Sequence, residues 1–250
     1  MQSRSVRLKK PRTVVASKFC RYELRTTDLN AARAFYTNVL GEDLWGADVT
    51  MAPLSERALA MGGCPHWLGH VGVDDADAAA NRLIAHGAKQ LGPVERGTDG
   101  SPRIALLDPF GARVAVGPRT PAVRRSPVAW HSMLAEDHVP AFAWYAPHFG
   151  WTANEEIALG TLGHQRMFAW DESRQTVGSV ANLARLPHVH AQWLFYFRVA
   201  SVEEAIAKVR TGGGLALAPM ETSSGDLVAA CDDVQGAAFG LYQVACSPSR

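Results

Sequence analysis

The chain has 250 residues, 47% of them apolar and 20% charged, with a formal net charge of +1. That balance excludes a global field for nucleic acid or anionic membrane, and no apolar run is long enough to span a bilayer as a helix. The length fits two domains of similar build, and four scattered cysteines without a C-x-x-C fit reduced thiols and a cytoplasmic location.

Residues 1–17 carry Arg4, Arg7, Lys9, Lys10 and Arg12 without the apolar core of a secretory signal, and read as a flexible basic tail. Tyr22 and Leu24 mark a strand that meets Thr26-Thr27-Asp28, with Asp28 placed to cap a helix. Leu29, Ala32, Phe35, Tyr36, Val39 and Leu40 recur at helical spacing up to Gly41. A short strand at 48–55 follows. Gly62 to Pro65 then break the chain before a second strand–helix unit, whose helix is expected to turn Ala76, Ala79, Leu83 and Ile84 inward. Turn residues 97–102, a strand at 103–107, the turn Asp108-Pro109-Phe110-Gly111 and a strand at 112–116 close this half. Residues 118–127, with three prolines and three arginines, read as a linker.

The second half repeats the order. Asp137 and Tyr145 stand 109 residues after Asp28 and Tyr36, and Phe149-Gly150 answer Leu40-Gly41. Strands are predicted near 128–134, 155–160, 164–170, 176–183 and 193–198. Ser201 and Glu204 form an S-x-x-E capping box ahead of the stripe Val202, Ala205, Ile206, Val209. Asp233-Val-Gln-Gly236 matches the Asp108 turn, and 237–244 closes the sheet. The chain therefore holds four strand–helix units in two pairs, a domain at 18–117 and another at 128–246. The expected fold class is α+β, two tandem domains of paired βαβββ modules, each pair a cupped mixed β-sheet with helices outside. From Gly41 to Trp67 is 26 positions against 43 from Gly150 to Trp193, so the first module is short by 17 residues, about a strand and its turn.

Three marks in this order, Thr26-Thr27-Asp28 with Phe35-Tyr36 and Gly41, the Trp67 and Trp193 strands, and Asp108-Pro-Phe-Gly-Ala112, resemble the vicinal-oxygen-chelate superfamily. That superfamily includes glyoxalase I, extradiol dioxygenases and bleomycin-resistance proteins, and the chain is most similar to its bidomain glyoxalase-like or "hydroxylase" members. The resemblance implies a divalent metal held in each catalytic cup by His or Gln from first strands and Glu from closing strands. The matching positions here are Arg21, Leu68, Ala115, Trp130, Leu194 and Gly240, none of them a metal ligand. No metal and no cofactor is expected.

Strand alternation names what stands there instead. In the first cup Arg21, Glu23 and Arg25 share a face with Leu68, His70 and Gly72, where Arg21 and Glu23 form an ion pair or, with His70, orient a polar ligand. Glu23 and His70 are the candidates for proton transfer. In the second cup the inward set is Trp130, Ser132, Leu134, Leu194, Tyr196 and Arg198, with Trp170 and Trp193 nearby and Phe195 on the outward face. Two aromatic walls, a hydroxyl and a cation suit a planar ligand, so the second cup is the expected ligand site.

Of nine histidines, His164 is read as a cup-wall residue and His131 as a core or interface residue. His148 is expected to meet the carbonyls of its helix end, and His188-Val189-His190 to lie in a connector rather than bind zinc or iron. The reading is a metal-independent protein that binds a small, aromatic or polyketide-like metabolite for sequestration, resistance or sensing. Its alternative is a glyoxalase-like or hydroxylase-type enzyme using side-chain acid–base chemistry or a metal at other residues. The expected partner is a small molecule, not nucleic acid or membrane, bound by a monomer or homodimer.

Overall fold

A computed structural model describes residues 16–97, 99–120 and 126–245. The basic tail (apart from 16–17) and the centre of the 118–127 linker lie outside the described residues. The first half runs β1 (Phe19–Thr26), α1 (Leu29–Leu40), β2 (Val49–Pro53), α2 (Glu56–Ala60), β3 (His66–Val73), α3 (Ala76–Ala85), β4 (Lys89–Gln90), β5 (Glu95–Arg96), β6 (Pro102–Leu107) and β7 (Arg113–Pro118). The second runs β8 (Val128–Leu134), α4 (His138–Phe149), β9 (Thr152–Ala158), β10 (His164–Ala169), β11 (Thr176–Ala181), β12 (Gln192–Arg198), α5 (Val202–Thr211), β13 (Leu215–Ala216), β14 (Met220–Glu221), β15 (Leu227–Asp232) and β16 (Ala238–Gln243). No helix among the described residues is long and apolar enough to cross a membrane.

Each half forms its own mixed sheet, ordered β2-β1-β3-β7-β6-β4 and β13-β15-β16-β12-β8-β11-β10-β9. The first strands of paired modules lie antiparallel at the centre, β1 beside β3 and β8 beside β12. Each is flanked by its module's last strand, which runs parallel to it. In the first module β2 takes that last place directly. The module therefore lacks the whole central hairpin, two strands rather than about one, and the short α2 returns the chain to β3. In the second and fourth modules the outer strand is split in two, with Pro93 and Pro219 in the breaks, because proline cannot donate to the ladder.

The helices begin where the caps predict. The Asp28 carboxylate accepts from the N–H groups of Asn30 and Ala31 at 3.0 Å, and Ser201 Oγ accepts from Glu204 N–H at 3.1 Å. Ala32, Phe35, Tyr36 and Val39 form the buried face of α1. On α3, Ile84 is 39% exposed instead of inward, and Ala80 takes its place in the core.

The two sheets share one core across the repeat. A bulge between Phe19 and Arg21 lets Phe19 and Tyr22 point the same way, toward the second sheet. Phe19 stacks on His131 at 5.3 Å and meets Phe195 edge-on at 5.3 Å, and Trp67 packs on Phe197 at 4.9 Å. The contact is so close that a Cβ on Gly69 would stand 2.4 Å from Phe195. Tyr22 and His131, 109 residues apart, meet directly, with Tyr22 Oη 2.6 Å from His131 Nε2.

The repeated sequence marks are what join the halves. Trp193 Nε1 donates to Tyr145 Oη at 2.9 Å, and that hydroxyl donates to Asp108 Oδ2 of the other half at 2.7 Å. Trp67 Nε1 likewise donates to Tyr36 Oη at 2.9 Å, beside Asp233 of the other half. Gln235, from the turn that begins at Asp233, accepts from Thr26 Oγ1 and Asp28 N–H at 2.8 Å and donates to the Asp28 carbonyl at 3.0 Å.

Candidate functional site

The face of the first sheet turned away from the shared core is the first cup. One row across it reads Ala105, Ala115, His70, Arg21 on adjacent strands. Two methyl groups beside the imidazole leave this row shallow. Glu23 lies one step along β1, opposite Leu68 and Thr50. Arg21, Glu23 and His70 are thus brought together as alternation requires, but the ion pairing differs from expectation. Glu23 Oε1 pairs with Arg25 Nε at 2.5 Å, and Arg25 Nη2 also contacts both Glu95 oxygens at 2.8 and 2.7 Å. Arg21 instead donates to Thr50 Oγ1 at 3.0 Å and to the Ala47 carbonyl at 3.4 Å. The pairing changes because β5 carries Glu95 across to Arg25, 70 residues away in sequence.

The cup is under-satisfied. Three buried side-chain polar atoms here, Arg21 Nε and both His70 ring nitrogens, have neither a hydrogen-bond nor an ion-pair partner among the described residues, while Glu23 Oε1 and Arg25 Nε have only each other. Buried polar atoms in proteins are normally paired with protein, water or ligand, so this concentration marks a place that receives polar groups. Burial, and then Arg21, Arg25 and Arg103, push the His70 pKa down to about 3, so its ring is neutral, with one nitrogen a donor and the other an acceptor. Arg103, Glu95 and Thr50 were not singled out by sequence. Alternation with Ala105 on the 103–107 strand was a signal for Arg103; no local signal marks Glu95.

The Glu23–Arg25 pair gives a direct check. Glu23→Gln removes the internal partner and leaves Arg25 only the half-exposed Glu95. The expected loss in urea unfolding is about 1–3 kcal/mol, and a change within about 0.5 kcal/mol would show that the pair carries little.

In the second cup the inward side chains engage their own neighbours, and Trp130, Tyr196 and Arg198 are partly buried. Trp130 and Tyr196 are cross-strand partners, and the Tyr196 ring lies so close over Gly240 that a Cβ there would stand 2.2 Å from it. Burial pushes the Tyr196 hydroxyl up to about 12. Ser132 Oγ pairs with Ser179 Oγ at 3.4 Å, and Arg198 Nε donates to the Ser126 carbonyl at 3.4 Å. Arg198 leaves the cup for a groove of about 680 Å³ at the seam of the halves, shared with Asp48 and Tyr242. Trp193 is a correction to the expected ligand set: at 3% exposure it faces the shared core, because it is odd in register with Leu194 and Tyr196. His164 is exposed at the start of β10, while His131 is the interface histidine expected. His148 packs edge-on against His86 at 4.8 Å rather than on helix-end carbonyls.

The metal expected by resemblance can be tested on these residues. Arg21, Leu68 and Ala115 occupy the first cup's assignable ligand positions, and Trp130, Leu194 and Gly240 the second's. No group of three or more His, Cys, Asp or Glu able to hold a metal ion occurs among the described residues. The one His–Glu combination in a cup, His70 with Glu23, is surrounded by three guanidinium groups that repel a cation. The residues present do not fit a divalent metal.

Residues 18–116 match the model of the Glyoxalase/Bleomycin resistance protein/Dioxygenase superfamily. CFP32 of Mycobacterium bovis, provisionally named a glyoxylase, is 28% identical over 251 residues, spanning 89% of this chain and 93% of its own. The fold is similar to a homoprotocatechuate 2,3-dioxygenase variant from B. fuscum, with TM-score 0.61 at 16% identity over 92% of this chain and 73% of that one. It is also similar to the Mn(II)-bound glyoxalase of Novosphingobium aromaticivorans, with TM-score 0.56 at 13% identity over 92% of this chain and 82% of that one. At these identities the structural likeness is one of fold.

Proposed function

We propose that this chain, whose residues 18–116 match the glyoxalase, bleomycin resistance and dioxygenase superfamily model, binds a small polar metabolite in its first cup without a divalent metal. The observation that carries this reading is the cluster of three unpartnered buried polar atoms, Arg21 Nε and both His70 ring nitrogens, beside the Glu23–Arg25 pair. The second cup, first choice on its aromatic content, has the weaker claim, since Tyr196 covers Gly240 and the serines pair with each other. The first module lacks its hairpin, so β2 is the edge strand of this sheet, next to the β1 that carries Arg21, Glu23 and Arg25.

A second reading has one observation in its favour: a neutral His70 beside a carboxylate is an acid–base pair, so the same cup would suit proton transfer on its ligand. In either case the proposed partner is a small molecule, and the proposed setting is cytoplasmic, in keeping with free Cys20, Cys64 and Cys231.

Elemental analysis of protein from a culture supplemented with Zn, Ni, Fe and Mn tests the metal-free part. The expected content is well below one ion per chain, with no isomerisation of a hemithioacetal. A tightly held ion at one per chain, lost together with ligand binding on chelation, would overturn the proposal.

A further inference from the structure

We infer that the first cup is built for an organic anion, whose carboxylate lies between Arg21 and Arg103 and whose neighbouring hydroxyl meets His70. This rests on the reading of the first cup as the ligand site and adds the chemical class of what it takes.

The charges around the cup do not close on themselves. Arg25 is neutralised by Glu23 and Glu95. Arg21 and Arg103 have no carboxylate within 4.0 Å among the described residues. Arg21 donates only to a hydroxyl and a carbonyl, and its Nε is buried without a partner. Asp48 attracts Arg21 from further away, and Asp99 attracts Arg103, whose Nη2 would lie 2.7 Å, and Asp99 Oδ1 2.6 Å, from a Cβ on Gly97. Arg103 stands over Gly117, across from it on β7, with its Cγ 3.4 Å from where a Cβ on that glycine would be. It is near enough that, after burial, its charge is the largest influence lowering the Arg21 pKa. Two like charges held together at a half-buried site are unfavourable unless an anion joins them, and a guanidinium is well shaped for a carboxylate or phosphate.

The remaining groups set what accompanies the anion. His70 is buried at 3% exposure, with one ring nitrogen to donate and one to accept, and neither is used. On one side of it Ala115 and Ala105 leave only methyl groups, and on the other stands Arg21. A hydroxyl next to the carboxylate satisfies that ring.

The probes are 2-hydroxybenzoate, its neutral isostere 2-hydroxybenzamide, and inorganic phosphate. Each is titrated into the full chain by calorimetry and followed at the imidazole NMR signals of His70, assigned by their loss in His70→Gln. The acid is expected to bind saturably and to move the His70 signals, and the amide to bind about tenfold more weakly or worse. Arg103→Gln is expected to weaken the acid by at least about tenfold, while Arg103→Lys, which keeps the charge, retains most of the affinity. Arg103 is half-exposed, so both variants are expected to melt close to the parent. Phosphate binding more tightly than the acid, with the same dependence on Arg103, would overturn the carboxylate assignment. If acid and amide bind equally and both move His70, the anion inference falls and the first-cup reading stands. If the acid binds without moving His70 and is lost in Trp130→Ala, the first-cup reading itself falls. No saturable binding of the acid overturns the inference.

Discussion

Asp108→Ala is expected to cost on the order of 4 kcal/mol of folding stability. The side chain is 4% exposed and accepts three hydrogen bonds, from Phe110 N–H at 2.9 Å, Ala112 N–H at 2.7 Å and Tyr145 Oη at 2.7 Å. Truncation strands those donors, and it frees Tyr145 from the turn that ties the halves together. Burial, opposed by the Tyr145 and backbone hydrogen bonds, raises the Asp108 pKa. Asp108→Asn keeps an acceptor for the turn and is expected to lose only about 1–2 kcal/mol. Urea unfolding measures both; a loss below about 1 kcal/mol for the alanine variant would show that the turn does not hold the seam.

The second large effect is acid destabilisation. Burial lowers the pKa of His131 to about 4, with the bond to the Val177 carbonyl opposing, and lowers that of His70 to about 3. His131 Nδ1 lies 3.0 Å from the Val177 carbonyl, so it carries the proton, and Nε2 accepts from the Tyr22 hydroxyl. Both native pKa values lie below the unfolded one. Between them the unfolded chain binds protons that the native chain refuses. Stability is therefore full above about pH 6.5 and falls as pH drops toward the native values, each group contributing up to about 1.4 kcal/mol per pH unit. Asp108 and Asp233, whose pKa values burial raises, act in the opposite sense nearer the carboxylate range. Thermal melts from pH 7 to pH 5 should show a steep decline, and His131→Gln should flatten it. A midpoint independent of pH over that span would contradict the burial of these rings.

Much of this was legible because local chemistry decides it. Asp28 and Ser201 cap the helices that their positions promise, and alternation puts Arg21, Glu23 and Arg25 on one face. The repeat also carried more than its sequence alone states: Tyr22 and His131 are separated by the same offset as the two helix caps, and they meet across the molecule. What stayed hidden depends on contacts far apart in the chain. Glu95 takes part in the Arg25 pair from β5, and Gln235 plugs the Thr26–Asp28 corner from the far end of the protein. Aromatic content pointed to the second cup, yet Trp193 spends its area on the shared core beside Phe195, which was expected there, and Tyr196 spends its area on Gly240. The spacing showed the first module to be short by about a strand and its turn, whereas the whole hairpin is missing and β2 is left as the edge strand beside β1.

The central claim is that the first cup takes its ligand without a metal. Its most direct test is a titration of 2-hydroxybenzoate into chelator-treated protein, followed at the His70 imidazole. The account predicts a saturable shift of the same size and midpoint before and after chelation. A shift that vanishes with the chelator and returns only when Mn(II) or Fe(II) is restored would contradict it.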